Sequence, residues 1–328
     1  MSIRGEIEIW NLQESVAIAV PGNGTIPETV YRRYKPLLFS LAYRMLGSVM
    51  DAEDVVQESF LALERTGLDH VANVQAYLCK TVTNRCLSLL QSSAKKRELY
   101  PGPWLPEPLV AEPGRTAVAD DPLQSYVHKE SLATAYLLLL QQLSYVERAV
   151  FLLREVLQYD YDEIADIVGK TSVNCRQIYH RAKRSLGSRS VPASGEGAPP
   201  ANAAAPARLV EQFVHALANA DVDGLMSVLS ADVALTMDGG GKVTALPRTV
   251  IGSKRISVFM ATLPDALPPD TAFLPAEVNG LPGIVARSEG RTIGVASFDI
   301  ADGRIAAIYI VVNPDKLRHV TINQGGRK

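Results

Sequence analysis

The sequence predicts a multidomain protein in which two all-α domains precede an α+β domain. Three observations predict it. Apolar residues recur at helical spacing through residues 28–97 and again through 123–187. Stretches rich in proline or in glycine, serine and alanine, at 98–122 and 188–206, set these segments apart. Beyond residue 207, helical patterns give way to short strand-like runs, an order that indicates α+β.

Residues 1–27 show no helical period and hold Pro21, Gly22, Gly24 and Pro27, so they read as an irregular extension. In 28–97, Val30, Tyr34, Leu37, Leu41 and Met45 step by three and four residues, Pro36 should kink or re-start this helix, and Gly47 ends it. Asp51 is expected to cap a second helix with the apolar face Ala52, Val55, Val56, Phe60 and Leu63. A third helix is expected from Val74 to Lys96. Six prolines between 98 and 122 exclude a helix or a sheet interior there. That linker carries Trp104, a large aromatic in a stiff extended segment, which favours a docking motif over a spacer.

In 123–187, Ser144 with Glu147 and Asp160 with Glu163 form two capping boxes. Gly169 stops the short helix Tyr161–Val168, and Thr171 or Ser172 caps the next, which is basic. Two short helices joined by a tight turn spell a helix-turn-helix. Residues 207–328 are expected to give helices at Leu209–Ala218, Val222–Leu229 and Val250–Thr262, then strands near 272–278, 283–288, 291–300 and 304–312.

The composition, 47 % apolar and 21 % charged, is that of an ordinary globular chain. No run approaches the ~18 apolar residues of a membrane span. Val16–Val20 is short and lacks a basic leader, so no signal peptide is expected and a cytoplasmic location follows. Cys79, Cys86 and Cys175 have no metal-ligand spacing and read as buried, reduced thiols; no metal or cofactor is expected. The net charge of −2 hides two local excesses. Residues 70–97 and 170–189 contain Lys and Arg but no acid, a distribution that can hold phosphates. Taken singly, either run also reads as a solvated helix face.

LLFSLAYRMLGSVMDAEDVVQESFLAL resembles region 2, and YVERAVFLLREVLQYDYDEIADIVGKTSVNCRQIYHRAKRSL region 4, of the extracytoplasmic-function (ECF) sigma factors. The remainder looks like a SnoaL/NTF2-like domain. WLPEP at 104–108, DGGGK at 238–242 and NPDKL at 313–317 match signatures of the ECF41 type. The resemblance implies a promoter-specificity subunit of RNA polymerase, with core polymerase and promoter DNA as partners. It implies a sigma region 2 domain at 28–97, a region 4 domain at 123–187, and a regulatory domain at 207–328 that makes a separate anti-sigma factor unnecessary.

Asp51, Glu53, Asp54, Gln57 and Glu58 are expected to form the polymerase-facing acidic surface, while Phe60 and Val56 go to the core. For the minus-ten element, Asn73, Gln75 and Asn84 can bond base edges and Tyr77 can stack or lie in the core. Lys80, Arg85, Lys95, Lys96 and Arg97 can neutralise phosphates. For the minus-thirty-five element, the resemblance makes Asn174, Arg176, Gln177 and His180 the candidate base readers, with Arg181, Lys183 and Arg184 expected on phosphates and Cys175, Ile178 and Ala182 expected inside.

Three groups should regulate. Trp104, Leu105, Pro106, Glu107 and Pro108 would dock against Asp238, Gly239, Gly240, Gly241 and Lys242, with Asn313, Pro314, Asp315, Lys316 and Leu317 beside them. Burial of Trp104 should dominate, and Lys242 could pair with Glu107. No catalytic residue is assigned, since His215 and His319 suggest no His–Asp pair. A small-molecule site stays open. Two rival readings also stay open: a ligand-responsive DNA-binding regulator outside polymerase, and a SnoaL-like isomerase or cyclase fused to a DNA-binding module.

Overall fold

The computed structural model describes residues 26–111, 133–187 and 204–320, with the side chains of 94–98 and of 204 left aside. The expectations for residues 1–25, 112–132, 188–203 and 321–328 lie outside the described residues.

Three helices come first: α1 (Glu28–Leu46), α2 (Val49–Thr66) and α3 (Val74–Glu98). Pro36 sits buried inside α1 without re-starting it. Gly47 closes α1 in the left-handed region, with φ 68°. Ser48, not Asp51, caps α2: its hydroxyl accepts from the Asp51 amide at 3.1 Å. Asp51 is therefore a first-turn acid, favourable at the positive end of the helix rather than as its cap. The linker then contributes a two-residue strand, β1 (Val110–Ala111).

The next helices among the described residues are α4 (Thr134–Gln141), α5 (Tyr145–Glu155), α6 (Tyr161–Val168) and α7 (Ser172–Gly187). Both expected capping boxes form, at Ser144 and at Asp160. The Thr171 hydroxyl accepts from the Asn174 amide at 3.3 Å at the start of α7. The two helical groups share one apolar core, from Leu38, Phe39 and Tyr43 of α1 through Leu78 and Cys79 of α3 to Leu137, Leu152 and Ile164. Arg148 stitches them together. Its buried guanidinium donates to the Leu140 carbonyl at 2.8 Å, to that of Leu143 at 3.3 Å and to that of Met45 at the end of α1.

The last domain holds α8 (Ala204–Ala218), α9 (Val222–Val228), β2 (Leu229–Asp238), β3 (Val250–Ile251), α10 (Ser253–Ala261) and α11 (Leu263–Ala266). It continues with β4 (Ala272–Val278), β5 (Leu281–Ser288), β6 (Arg291–Ala301) and β7 (Arg304–Val311). The sheet order is β1-β4-β5-β6-β7-β2-β3, antiparallel except where β2 runs parallel to β7. Among the described residues, three strands were not read from sequence: β1, most of β2, and β3. The helix expected over Val250–Thr262 is shorter, because Val250 and Ile251 pair with Leu235 and Ala234. Gly252, at φ 108°, then turns the chain into α10.

Successive residues of the central strands enter different cores. Ile284, Phe298 and Ile310 face α8–α10, where Phe213 meets Phe298 edge-on at 5.1 Å. Val285, Val295 and Val311 face the other way and bury Leu105 of the linker, beside Leu138 of α4. The sheet is thus covered on both faces, the second by the linker and α4.

Candidate promoter-binding and interdomain sites

The helix α7 separates its residues by face. Cys175, Ile178, Tyr179 and Ala182 are buried. Asn174, Arg176, Gln177, His180, Arg181, Lys183 and Arg184 are all exposed. Burial pushes the Cys175 thiol up, as befits a packing residue. Two of the cations rest on acids of α5, Arg181 on Glu147 at 2.9 Å and Lys183 on Glu155 at 3.3 Å. The Tyr179 hydroxyl and then Glu155 hold the Lys183 ammonium above its ordinary range.

On α2, Asp51, Glu53, Asp54, Gln57 and Glu58 are exposed, and Val56 and Phe60 are buried, as expected. Lys80, Asn73 and Asn84 are exposed on or beside α3, and Gln75 is half-buried. Tyr77 is half-buried against the core, its hydroxyl 2.9 Å from that of Thr66. Arg85 pairs with Glu58 across the α2–α3 cleft, so a residue expected on DNA touches one expected on polymerase. The side chains of Lys95, Lys96 and Arg97 lie outside the described residues.

The three signature segments converge. Asp238 ends β2, fully buried. Its carboxylate accepts from the Tyr100 hydroxyl at 2.6 Å, the Leu105 amide at 2.8 Å, the Gly240 amide at 3.0 Å and the Lys316 ammonium at 2.7 Å. Lys316 also donates to the Leu105 carbonyl and stands over the rings of Trp104 (4.1 Å) and Tyr100 (4.9 Å). The Asn313 side chain donates to the Tyr100 hydroxyl at 2.9 Å. Its atoms occupy the space a Cβ on Gly240 would need, and Gly240 sits at φ 59°. Pro314, Asp315 and Leu317 complete the turn after β7, with Leu317 buried in the linker-facing core.

Two expectations about this junction are corrected. Lys242 pairs with Asp315, not with Glu107, because the turn after β7 lies nearer to it. Leu105, not Trp104, is the fully buried anchor, since Trp104 stays half-buried over Lys316 and against Gly47. Pro106 and Pro108 are buried as well.

Glu107 has a different task. Its carboxylate accepts from the amides of Val49 (2.7 Å) and Met50 (3.2 Å) and the Ser48 hydroxyl (3.0 Å). A carboxylate from the linker thus satisfies the N-terminal amides of α2, where the helix dipole favours negative charge.

Sequence reasoning missed a second junction. Asn279 accepts from the Leu109 amide at 2.8 Å and donates to the Thr134 hydroxyl at 3.1 Å, which itself lies 2.9 Å from that of Ser297. Tyr43 of α1 donates to the Glu107 carbonyl at 2.6 Å and reaches Asn279 at 3.4 Å. Burial first, then the Glu107 charge, pushes the Tyr43 hydroxyl far above its ordinary range, so it remains a donor. Asn279 thereby touches α1, the linker and the start of α4. Asn279-Gly280, both at positive φ, was a legible hairpin-turn signal; its placement between domains was not. The two histidines of the last domain are apart: His215 lies on α8, and His319 meets the Pro108 carbonyl at 2.9 Å.

Residues 30–96 match the family model of sigma-70 region 2, and residues 133–186 that of sigma-70 region 4. The chain is 31 % identical over 289 residues to the ECF RNA polymerase sigma factor SigJ of Mycobacterium tuberculosis, covering 85 % of this chain and 89 % of that one. It is 30 % identical over 299 residues to the M. tuberculosis "Probable ECF RNA polymerase sigma factor SigI", covering 90 % and 96 %. The crystal structure of M. tuberculosis SigJ superposes with a TM-score of 0.68 at 28 % identity, covering 88 % of this chain and 97 % of that one.

Proposed function

The chain belongs to the ECF RNA polymerase sigma factors, and on that premise we propose how promoter recognition and transcription initiation are divided among its parts. The exposed row of α7 carries the proposal: seven polar or cationic side chains face solvent while four others anchor the helix. In this reading α7 enters the major groove of the minus-thirty-five element, with Asn174, Arg176, Gln177 and His180 on bases and Arg181, Lys183 and Arg184 on phosphates. Asn73, Gln75, Tyr77, Lys80, Asn84 and Arg85, with the end of α3, take the minus-ten strand. The acidic face of α2 meets core polymerase.

The NTF2/SnoaL-like domain acts as a built-in regulator that holds the linker, rather than as an enzyme. In support, the carboxylate of Asp238 is fully engaged by four donors and presents no free oxygen to a substrate. Regulation from within the same chain makes a separate anti-sigma factor unnecessary, and work on promoter DNA places the protein in the cytoplasm.

The test is transcription in vitro with core polymerase. The full chain should direct initiation from a cognate promoter, and removing residues 207–328 should change output while polymerase still binds. Failure of the full chain to bind core polymerase refutes the assignment. Arg176→Ala should relax one minus-thirty-five position at a cost of about 1–3 kcal/mol. Lys183→Ala should weaken binding to all sequences and lower the salt slope by about one contact. Identical behaviour of the two variants across a promoter library refutes the division of roles.

A further inference from the structure

We propose that Tyr161 is a positioning residue for promoter readout: its ring holds the Arg176 guanidinium by a cation–π contact that takes none of its N–H donors and leaves them for a base. The proposal rests on the reading of α7 as the promoter-reading helix.

The Arg176 guanidinium carbon lies 5.1 Å from the centroid of the Tyr161 ring. Among the described residues, this ring is the partner the structure gives Arg176, and no carboxylate pairs with it. Its neighbours Arg181 and Lys183 each pair with a carboxylate, Arg181 with Glu147 and Lys183 with Glu155, although Lys183 also donates to the Tyr179 hydroxyl and stands 5.5 Å from that ring's centroid. The distinction matters chemically. A carboxylate binds a cation through its N–H donors, the same atoms that a phosphate or base must take. An aromatic ring binds a guanidinium through its π-face, while the N–H donors lie in the guanidinium plane and point outward. An arginine held over a ring engages no acceptor there, so it is oriented before DNA arrives and keeps its donors for a bidentate contact.

The ring is itself fixed. Tyr161 opens α6, directly after the N-cap Asp160 and within the capping box that Glu163 closes. It meets Tyr179 edge-on at 6.2 Å. Arg154 also stands over it at 4.9 Å, anchored by the Tyr159 carbonyl at 2.7 Å and the Asp160 carboxylate at 3.3 Å. The contact thus joins the first helix of the helix-turn-helix to the exposed face of the second. With the ring removed, Arg176 would recover rotamer freedom and lose part of that entropy again on each binding event.

The experiment uses the full chain with core polymerase. Binding is measured to promoter duplexes carrying each base at every minus-thirty-five position, at two salt concentrations. Arg176→Ala should abolish preference at one position. Tyr161→Leu should reduce preference at that same position by about two- to fivefold, the range of an exposed cation–π contact, with the salt slope unchanged. Tyr161→Phe should retain wild-type preference. Wild-type preference in Tyr161→Leu overturns the positioning role and leaves the assignment of Arg176 standing. Equal weakening by Tyr161→Leu on all duplexes, or failure of Tyr161→Phe to retain preference, also overturns it, because a purely structural role predicts those results. If Arg176→Ala itself keeps every preference, the assignment of Arg176 falls and the role of Tyr161 falls with it.

Discussion

Replacing Asp238 by Asn tests whether charge, rather than shape, holds the linker. The substitution keeps the volume but removes the anion and turns one of the two accepting oxygens into a donor. Lys316 would then be left with its side chain 9 % exposed and no counter-ion on Asp238. Breaking one partner out of a buried ion pair costs about 3–5 kcal/mol. The cost here should sit near 3 kcal/mol, because Lys316 retains the Leu105 carbonyl and the face of Trp104. The pairwise part is separable. Asp238→Asn with Lys316→Met removes both charges, and its cost should fall short of the two single costs added together by about 1–3 kcal/mol. The chain holds two tryptophans, Trp10 and Trp104, so a Trp10→Phe background makes Trp104 the sole indole emitter. Denaturant titration followed by Trp104 emission then reports release of the linker locally, without assuming two-state unfolding of the whole chain. A shift of less than about 0.5 kcal/mol in Asp238→Asn, or strict additivity in the double variant, would refute the argument from a buried pair.

Other perturbations have equally definite signs. Gly47→Ala forces a Cβ to 2.6 Å from the Trp104 ring at φ 68°, so it should weaken linker docking by about 1–3 kcal/mol, read by the same emission. Arg148→Met leaves the Met45, Leu140 and Leu143 carbonyls short of a donor; it should cost about 3–5 kcal/mol and enlarge the radius of gyration measured by X-ray scattering. Asp299 is buried with Tyr309 as a donor at 3.1 Å, and burial holds its carboxyl above the ordinary carboxylate range. A raised pKa means that the folded protein holds this proton more tightly, so the contribution to stability is complete below the ordinary range and lost as pH rises through the raised value. Asp299→Asn should therefore melt higher than the parent at neutral pH and flatten the rise in melting temperature on mild acidification; an unchanged pH profile counts against this account.

Features that depend on neighbours a few residues away were legible before folding. Both capping boxes, the Gly47 and Gly169 stops and the split of α7 into buried and exposed faces need one turn of chain to specify them. The short motifs 104–108, 238–242 and 313–317 were related to one another only through the family resemblance, not through any local rule. The tertiary structure decided which of their groups meet. Lys242 and Lys316 each had more than one acid within reach of a sequence-level argument, and only the parallel pairing of β2 with β7 puts Asp238 beside Lys316 and leaves Asp315 for Lys242. Glu107 could not be assigned to the amides of α2, nor Asn279 to Thr134, because these contacts join residues 58 and 145 positions apart. The helix over 250–262 failed in the same way. Its first two residues have helical company in sequence, but β2 offers an unpaired edge that satisfies their backbone groups instead. Periodicity and caps report local free energy, whereas the choice among several polar partners is made by the packing that brings one of them close and excludes water from it.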